Sequence, residues 1–164
     1  MAEFKSITTQ LRVYNSANEL DPAVQLLIDK AKEASANAYA PYSEFQVGAA
    51  LLLADGEIVT GNNQENASYP AGICAERVAF FAAKSRKPDT DVKMVVIVAK
   101  PRLAKEFRFT PPCGICRQVM SEYEKKNTSG KIRLYLIDVE GKVYESESIA
   151  NLLPFQFSDD DLKL

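Results

Sequence analysis

Apolar residues at Val24, Leu27, Ile28, Ala31 and Ala38 recur at helical spacing, so one side of this stretch is predicted to face a core. Asp21 and Pro22 supply a cap and a first-turn proline, and Pro41 sets a limit, which brackets a helix between them. Asp29, Lys30, Lys32 and Glu33 form its solvated face. Two strand-like runs follow at 46–54 and 57–62, joined by Asp55 and Gly56, a pair that favours a tight hairpin turn. From Cys74, the positions Val78, Phe81 and Ala82 predict the buried face of a second helix, which reaches about Arg86 and stops at Lys87 and Pro88. Residues 94–99 are unbroken apolar and read as a central strand covered on both faces. A loop with three prolines leads to a third helix from Cys113 to about Asn127, and Gly130 closes it. Strands at 131–138 and 142–146 meet at Glu140 and Gly141, and a short helix is expected at 148–153. Ahead of all this, Ile7, Leu11 and Val13 roughly alternate within residues 6–14, which predicts an edge strand.

The order helix, strands, helix, strand, helix, strands implies a layered α/β domain around a mixed sheet. A length of 164 residues with 46% hydrophobic content suits one core. The net charge of −2 and pI near 5.3 provide no basic footprint for a phosphate backbone, so no nucleic-acid partner is expected and a small free substrate fits better. No apolar run approaches the ~20 residues that span a bilayer, so no membrane partner is expected. The first residues lack the apolar core of a signal peptide, which predicts a cytoplasmic protein.

The three cysteines, Cys74, Cys113 and Cys116, fall in just two segments, and histidine is absent. A structural zinc site is normally closed by four Cys or His ligands, whereas a catalytic one uses three and leaves the fourth position open. If zinc is bound here by three sulfurs, the open position points to catalysis. Glu76, two residues from Cys74, is then the nearest group able to move protons. Residues two apart on a formed helix do not face each other. Cys74 must therefore stand at the very start of its helix for both side chains to reach one point. Cys113 and Cys116 are three apart, about one turn, and can meet a metal if the third helix starts at Cys113.

The pair Cys74-Ala-Glu76 followed by Pro112-Cys-Gly-Ile-Cys116 resembles the cytidine deaminases, specifically the small free-nucleoside enzymes with three cysteine ligands. The same family resemblance runs in order through Ala38-Tyr-Ala-Pro-Tyr-Ser-Glu-Phe45, Val47-Gly-Ala-Ala50, Asn63-Gln-Glu-Asn-Ala67, Cys113-Gly-Ile-Cys-Arg-Gln118 and Leu152-Leu-Pro154. It covers roughly residues 22–157. The resemblance implies a three-layer α/β/α fold with a mainly five-stranded mixed sheet, to which residues 6–14 would add an edge strand. The chain then divides into an N-terminal extension at 1–20, a catalytic domain at 21–157 and an acidic tail at 158–164.

The resemblance further implies one Zn2+ per subunit on Cys74, Cys113 and Cys116, with Glu76 passing protons from water to N3 and the leaving amine of cytosine. It assigns Phe45 to stacking on the base, Asn63 and Glu65 to the sugar hydroxyls, and the Ala75 N–H to the base edge. Tyr69 and Phe157 would look toward a neighbouring site in a homotetramer, with Phe155 able to take the place of Phe157. Three thiolates leave zinc with a net charge of −1. Helix N-termini and Arg77 are expected to offset it, with Gln118 in support. The implied reaction is hydrolysis of cytidine and 2'-deoxycytidine to the uridine products and ammonia, a step of pyrimidine salvage.

Other readings of the residues remain. Cys113 and Cys116 alone could be a thiol–disulfide pair, but that leaves Cys74 and Glu76 unexplained. A zinc-stabilised binding module would need a carboxylate as fourth ligand. Within the enzyme reading, a deaminase of another cytosine nucleoside such as blasticidin S shares the metal motif, and the Asn63 and Glu65 pair favours a ribose-bearing substrate.

Overall fold

A computed structural model describes residues 2–163. The elements in chain order are β1 (Arg12–Tyr14), α1 (Pro22–Ala36), β2 (Phe45–Leu53), β3 (Ile58–Asn62), α2 (Ala75–Arg86), β4 (Val92–Pro101), α3 (Gly114–Lys126), β5 (Arg133–Ile137) and β6 (Val143–Ser146). Single 3-10 turns occur at Ala17–Glu19, Tyr69–Ala71, Ala150–Leu152 and Asp159–Leu162. The short helix expected at 148–153 is thus one such turn.

The six strands form one sheet in the order β1-β6-β5-β4-β2-β3. Only β4 and β5 run parallel, and every other neighbouring pair is antiparallel. That connection is the one carrying α3 across the sheet, as a parallel crossover requires. Helix α1 covers one face and α2 with α3 the other, which makes three layers. Along β4, Val95 and Ile97 join the core beneath α2 and α3, while Met94, Val96 and Val98 join the core beneath α1. The strand is buried on both sides because its side chains alternate between two apolar layers.

The N-terminal strand is shorter than its sequence pattern suggests. Only Arg12–Tyr14 pair with β6, and Ile7, Leu11 and Val13 stay exposed. What holds this edge is polar. Glu145, 3% exposed, accepts from the Tyr14 hydroxyl (2.7 Å), the Arg12 guanidinium (3.0 Å) and the Tyr135 hydroxyl (3.1 Å). A carboxylate at such depth costs several kcal/mol unless it is bonded this way.

The buried face of α2 also differs from the predicted one. Ala75, Glu76, Ala79, Phe80 and Ala83 are buried, whereas Phe81 is exposed and Val78 and Ala82 only half so. The reason is Cys74, which caps the helix in an extended conformation (φ −76°, ψ 154°) and so does not share its phase. The seam of Ala75, Ala79 and Ala83 lies against β3 at Gly61. A Cβ there would stand 2.6 Å from the Ala75 carbonyl oxygen and from the Ala79 nitrogen. Small residues on both sides thus let the helix approach the sheet and set where its N-terminus lies. Phe80 then stacks on Tyr123 of α3 with centroids 5.7 Å apart, locking the two helices together.

The far end of α3 is fixed by side-chain bonds. Glu124 accepts the backbone N–H groups of Ile132, Ile149 and Ala150, and Asn127 exchanges two bonds with the Val92 backbone. These bonds leave α3 little freedom to slide.

Candidate metal centre and adjoining cleft

Two helix N-termini converge on the cysteines. Cys74 is the N-cap of α2 and Cys113 the N-cap of α3, both extended, and Cys116 sits in the first turn of α3. Neither cap carries a side-chain bond, so the first N–H groups of both helices are free to face sulfur. The three Sγ atoms lie within 4.8 Å of one another, and Cys74 and Cys113 are 3.9 Å apart. Tetrahedral zinc with Zn–S bonds of about 2.3 Å places sulfurs roughly 3.8 Å apart. The cluster therefore fits the ion without rearrangement of the helices.

The electrostatics fit as well. In the metal-free cluster the Cys74 thiol is pulled down to about 5, chiefly by a bond from the Cys116 thiol and then by Arg77. The Cys116 thiol is pushed up by the same contact and by burial. The two thiols are thus pushed in opposite directions, and binding a soft cation would require the remaining sulfur protons to leave. Arg77 Nη2 stands 3.7 Å from Cys74 Sγ, and its buried Nε has no hydrogen-bond partner among the described residues. A guanidinium buried against sulfur offsets the excess negative charge of three thiolates.

Glu76 is 4% exposed and stands on the buried face of α2. Burial raises its carboxyl to about 7. The Cys74 thiolate pushes the same way, while its own N–H, the Cys116 thiol and Arg77 oppose the shift. Near neutrality this carboxyl can both take and give a proton.

A cleft of about 560 Å³ opens beside Cys74 and Arg77, within the usual size of small-molecule sites. Asn63, Glu65 and Tyr69 line it, together with Tyr42, Ser43 and Asn66. Phe45, the half-buried first residue of β2, is not among the residues that line it. Ala75 is fully buried as the first residue of α2.

The polar pair is partly committed to the fold. Asn63 donates to the Phe45 carbonyl (2.9 Å) and accepts from the Val47 N–H (2.8 Å), extending the β2–β3 pairing through its side chain. Glu65 accepts from the N–H groups of Tyr42 and Ser43 and from the Ser43 hydroxyl, which holds its carboxyl below the usual range. Each retains unused valences. The resemblance reads these two as sugar contacts, while as residues alone they fit a capping or turn role equally well, and here they also build the cleft wall. Gln64 does similar work, trading two backbone bonds with Ile73 just ahead of Cys74 (both 2.9 Å).

Three aromatic residues named by the sequence reading stay largely in solvent. Tyr69 is 76% exposed and meets the Tyr42 ring edge-on, and Phe155 and Phe157 are also exposed. Gln118 gives its amide N–H to the Phe157 carbonyl rather than to a cysteine. Arg117 was overlooked as a separate feature. It donates to the carbonyls of Pro112 and Leu152, tying the loop before Cys113 to the C-terminal segment. Its place immediately after Cys116 was the only available signal.

Comparison with known proteins agrees with this geometry. The family described as the cytidine and deoxycytidylate deaminase zinc-binding region matches residues 22–129. A cytidine deaminase of Halalkalibacterium halodurans is 44% identical over 138 residues, covering 84% of this chain and 96% of that one. A second, from Sporosarcina psychrophila, is 42% identical over 139 residues, covering 85% and 94%. The crystal structure of cytidine deaminase from Burkholderia pseudomallei superposes with a TM-score of 0.70 at 39% identity, over 81% of this chain and 98% of that one.

Proposed function

The chain belongs to the cytidine and deoxycytidylate deaminase family, and on that premise we propose that it hydrolyses the 4-amino group of free cytidine and 2'-deoxycytidine, with Glu76 carrying the protons. The reaction consumes water and releases uridine or 2'-deoxyuridine and ammonia. Zinc on Cys74, Cys113 and Cys116 would supply the Lewis acidity that activates water for attack at C4.

Glu76 is the observation that carries the reading. It is buried at the helix terminus beside Cys74 and Cys116, and its carboxyl sits at about 7. As a carboxylate it takes a proton from the attacking water and passes it to N3. It then takes the proton of the new C4 hydroxyl and delivers it to the departing amine as the C4–N bond breaks and the carbonyl forms. One group can serve both steps because it gives up each proton before the next one must be taken.

The cleft residues are proposed to orient the nucleoside. Phe45 would stack on the base, the free valences of Asn63 and Glu65 would meet the sugar hydroxyls, and the Ala75 N–H would hold the base edge. Tyr69 and Phe157, exposed in the single chain, are free to complete a neighbouring copy's site in the homotetramer that the family resemblance implies. Thiolates that must stay reduced support a cytoplasmic setting, and a free pyrimidine nucleoside as substrate supports a role in pyrimidine salvage.

The test is the loss of cytidine absorbance with wild type and Glu76→Gln, with zinc measured in both. Turnover should fall about 10²- to 10⁴-fold in the variant with zinc retained. Zinc-loaded wild type that leaves both nucleosides unchanged would refute the substrate assignment.

A further inference from the structure

Helix α3 starts at the cysteine cluster, and its outer side carries the C-terminal segment. Gln118 donates from Nε2 to the Phe157 carbonyl at 2.7 Å. Lys125 is seven residues further on, two turns along the same face, and pairs with Asp159 at 2.5 Å and with Asp160. Ser158 and Asp161 form a capping box that starts the 3-10 turn Asp159–Leu162, so the two aspartates are presented together. Lys163 closes them from the other side, 2.7 Å from Asp160 and 3.3 Å from Asp159.

Phe157 therefore has its carbonyl fixed by one anchor and its chain fixed three residues later by another, while its ring is 58% exposed. Tethering a backbone costs conformational entropy. A ring that is exposed while its backbone is anchored on both flanks is placed to meet a surface outside its own chain.

We propose that Lys125 and Gln118 are positioning residues for substrate binding, holding the 157–160 segment so that the Phe157 ring closes a nucleoside site. The proposal rests on the reading that Phe157 completes the site of a neighbouring copy. Neither residue touches the reacting atoms. Their effect is exerted through where the Phe157 ring stands, so their removal weakens ground-state and transition-state binding alike and is felt in KM rather than in kcat. The Lys125 contacts are ionic and exposed, so the same KM should respond to salt.

The experiment compares steady-state kinetics on cytidine for wild type, Lys125→Ala, Lys125→Arg, the double variant Asp159→Asn with Asp160→Asn, and Phe157→Ala. Zinc content and oligomeric size are measured for each. KM is expected to rise about 2- to 5-fold in Lys125→Ala and in the double variant, with kcat changed less than about twofold. Lys125→Arg should restore KM. Raising salt from about 0.05 to 0.5 M should raise the wild-type KM toward that of Lys125→Ala and leave the variant flat.

Wild-type KM and salt response in Lys125→Ala, with KM raised in Phe157→Ala, would overturn the proposal and leave the underlying reading intact. An unchanged KM in Phe157→Ala would overturn that reading. A fall in kcat, zinc or oligomer size in Lys125→Ala that arginine does not rescue would make Lys125 structural, and would likewise overturn the proposal.

Discussion

Replacing Gly61 with alanine should damage catalysis from a position that touches neither metal nor substrate. The added Cβ would lie 2.6 Å from two backbone atoms of α2, at Ala75 and Ala79, where ordinary contact begins at 3.4 Å. Backbone cannot rotate aside as a side chain can, so the helix must retreat by about 0.8 Å or the sheet must yield. Overpacking of this kind costs about 1–3 kcal/mol. For a chain of this size that lowers Tm by about 3–9 °C. The retreat falls on Ala75, between Cys74 and Glu76, and a misplacement near 1 Å can cost about 10²-fold in rate. We therefore expect kcat to fall about 10- to 100-fold at a temperature where the variant is fully folded. Gly56→Ala serves as the control. Its Cβ meets nothing within 4 Å, but its φ of 90° is strained for alanine, so it should lose stability and keep kcat. Thermal unfolding and kinetics on both variants decide the matter. A Gly61→Ala protein with wild-type Tm and kcat, or one whose loss of rate Gly56→Ala reproduces, would refute the reasoning.

Two further outcomes follow from the charges around the cysteines. The Glu76 carboxyl is raised from 4.5 to about 7 in the folded protein. The folded state then binds the proton more tightly, so this group's contribution to stability is fully present below about pH 4.5 and is lost as pH rises to 7, a change on the order of 3 kcal/mol. Urea unfolding of chelator-treated protein should show that loss, and subtracting the Glu76→Gln profile should isolate it from the cysteines. A difference profile flat between pH 4.5 and 7 would contradict it. Arg77→Ala removes the guanidinium 3.7 Å from Cys74 Sγ, and should weaken zinc retention about 10- to 100-fold in a chelator competition. Undiminished retention would show that the helix termini alone balance the thiolates.

Much of this molecule was legible in the linear pattern. Periodicity located α1, α2 and the strands of the hairpin to within a few residues, because each buries one apolar face and the spacing of that face records the element's geometry, while the cysteine spacing and Gly130 bracketed α3. The spacing of Cys74, Glu76, Cys113 and Cys116 was enough to require two helix starts meeting at one point, which the backbone supplies. The errors have a common cause. Phe81 was placed inside and Glu76 was not seen as part of the buried face, because an N-cap residue outside helical geometry shifts the phase of everything counted from it. The register of α2 is decided instead by Gly61, fifteen residues before Glu76, through an approach that has no local signature.

Sequence alone determined which groups can do chemistry here, since residue type limits who may bind a soft cation or carry a proton, and a chain with three cysteines and no histidine offers few choices. Only the tertiary structure decided how those groups behave. Burial raised the Glu76 carboxyl to about 7, and mutual contact drove the Cys74 and Cys116 thiols in opposite directions. Asn63 and Glu65 were turned partly inward to build the cleft they line. Solvation, charge separation and hydrogen-bond occupancy depend on neighbours brought from distant parts of the chain, and no local pattern records who those neighbours will be.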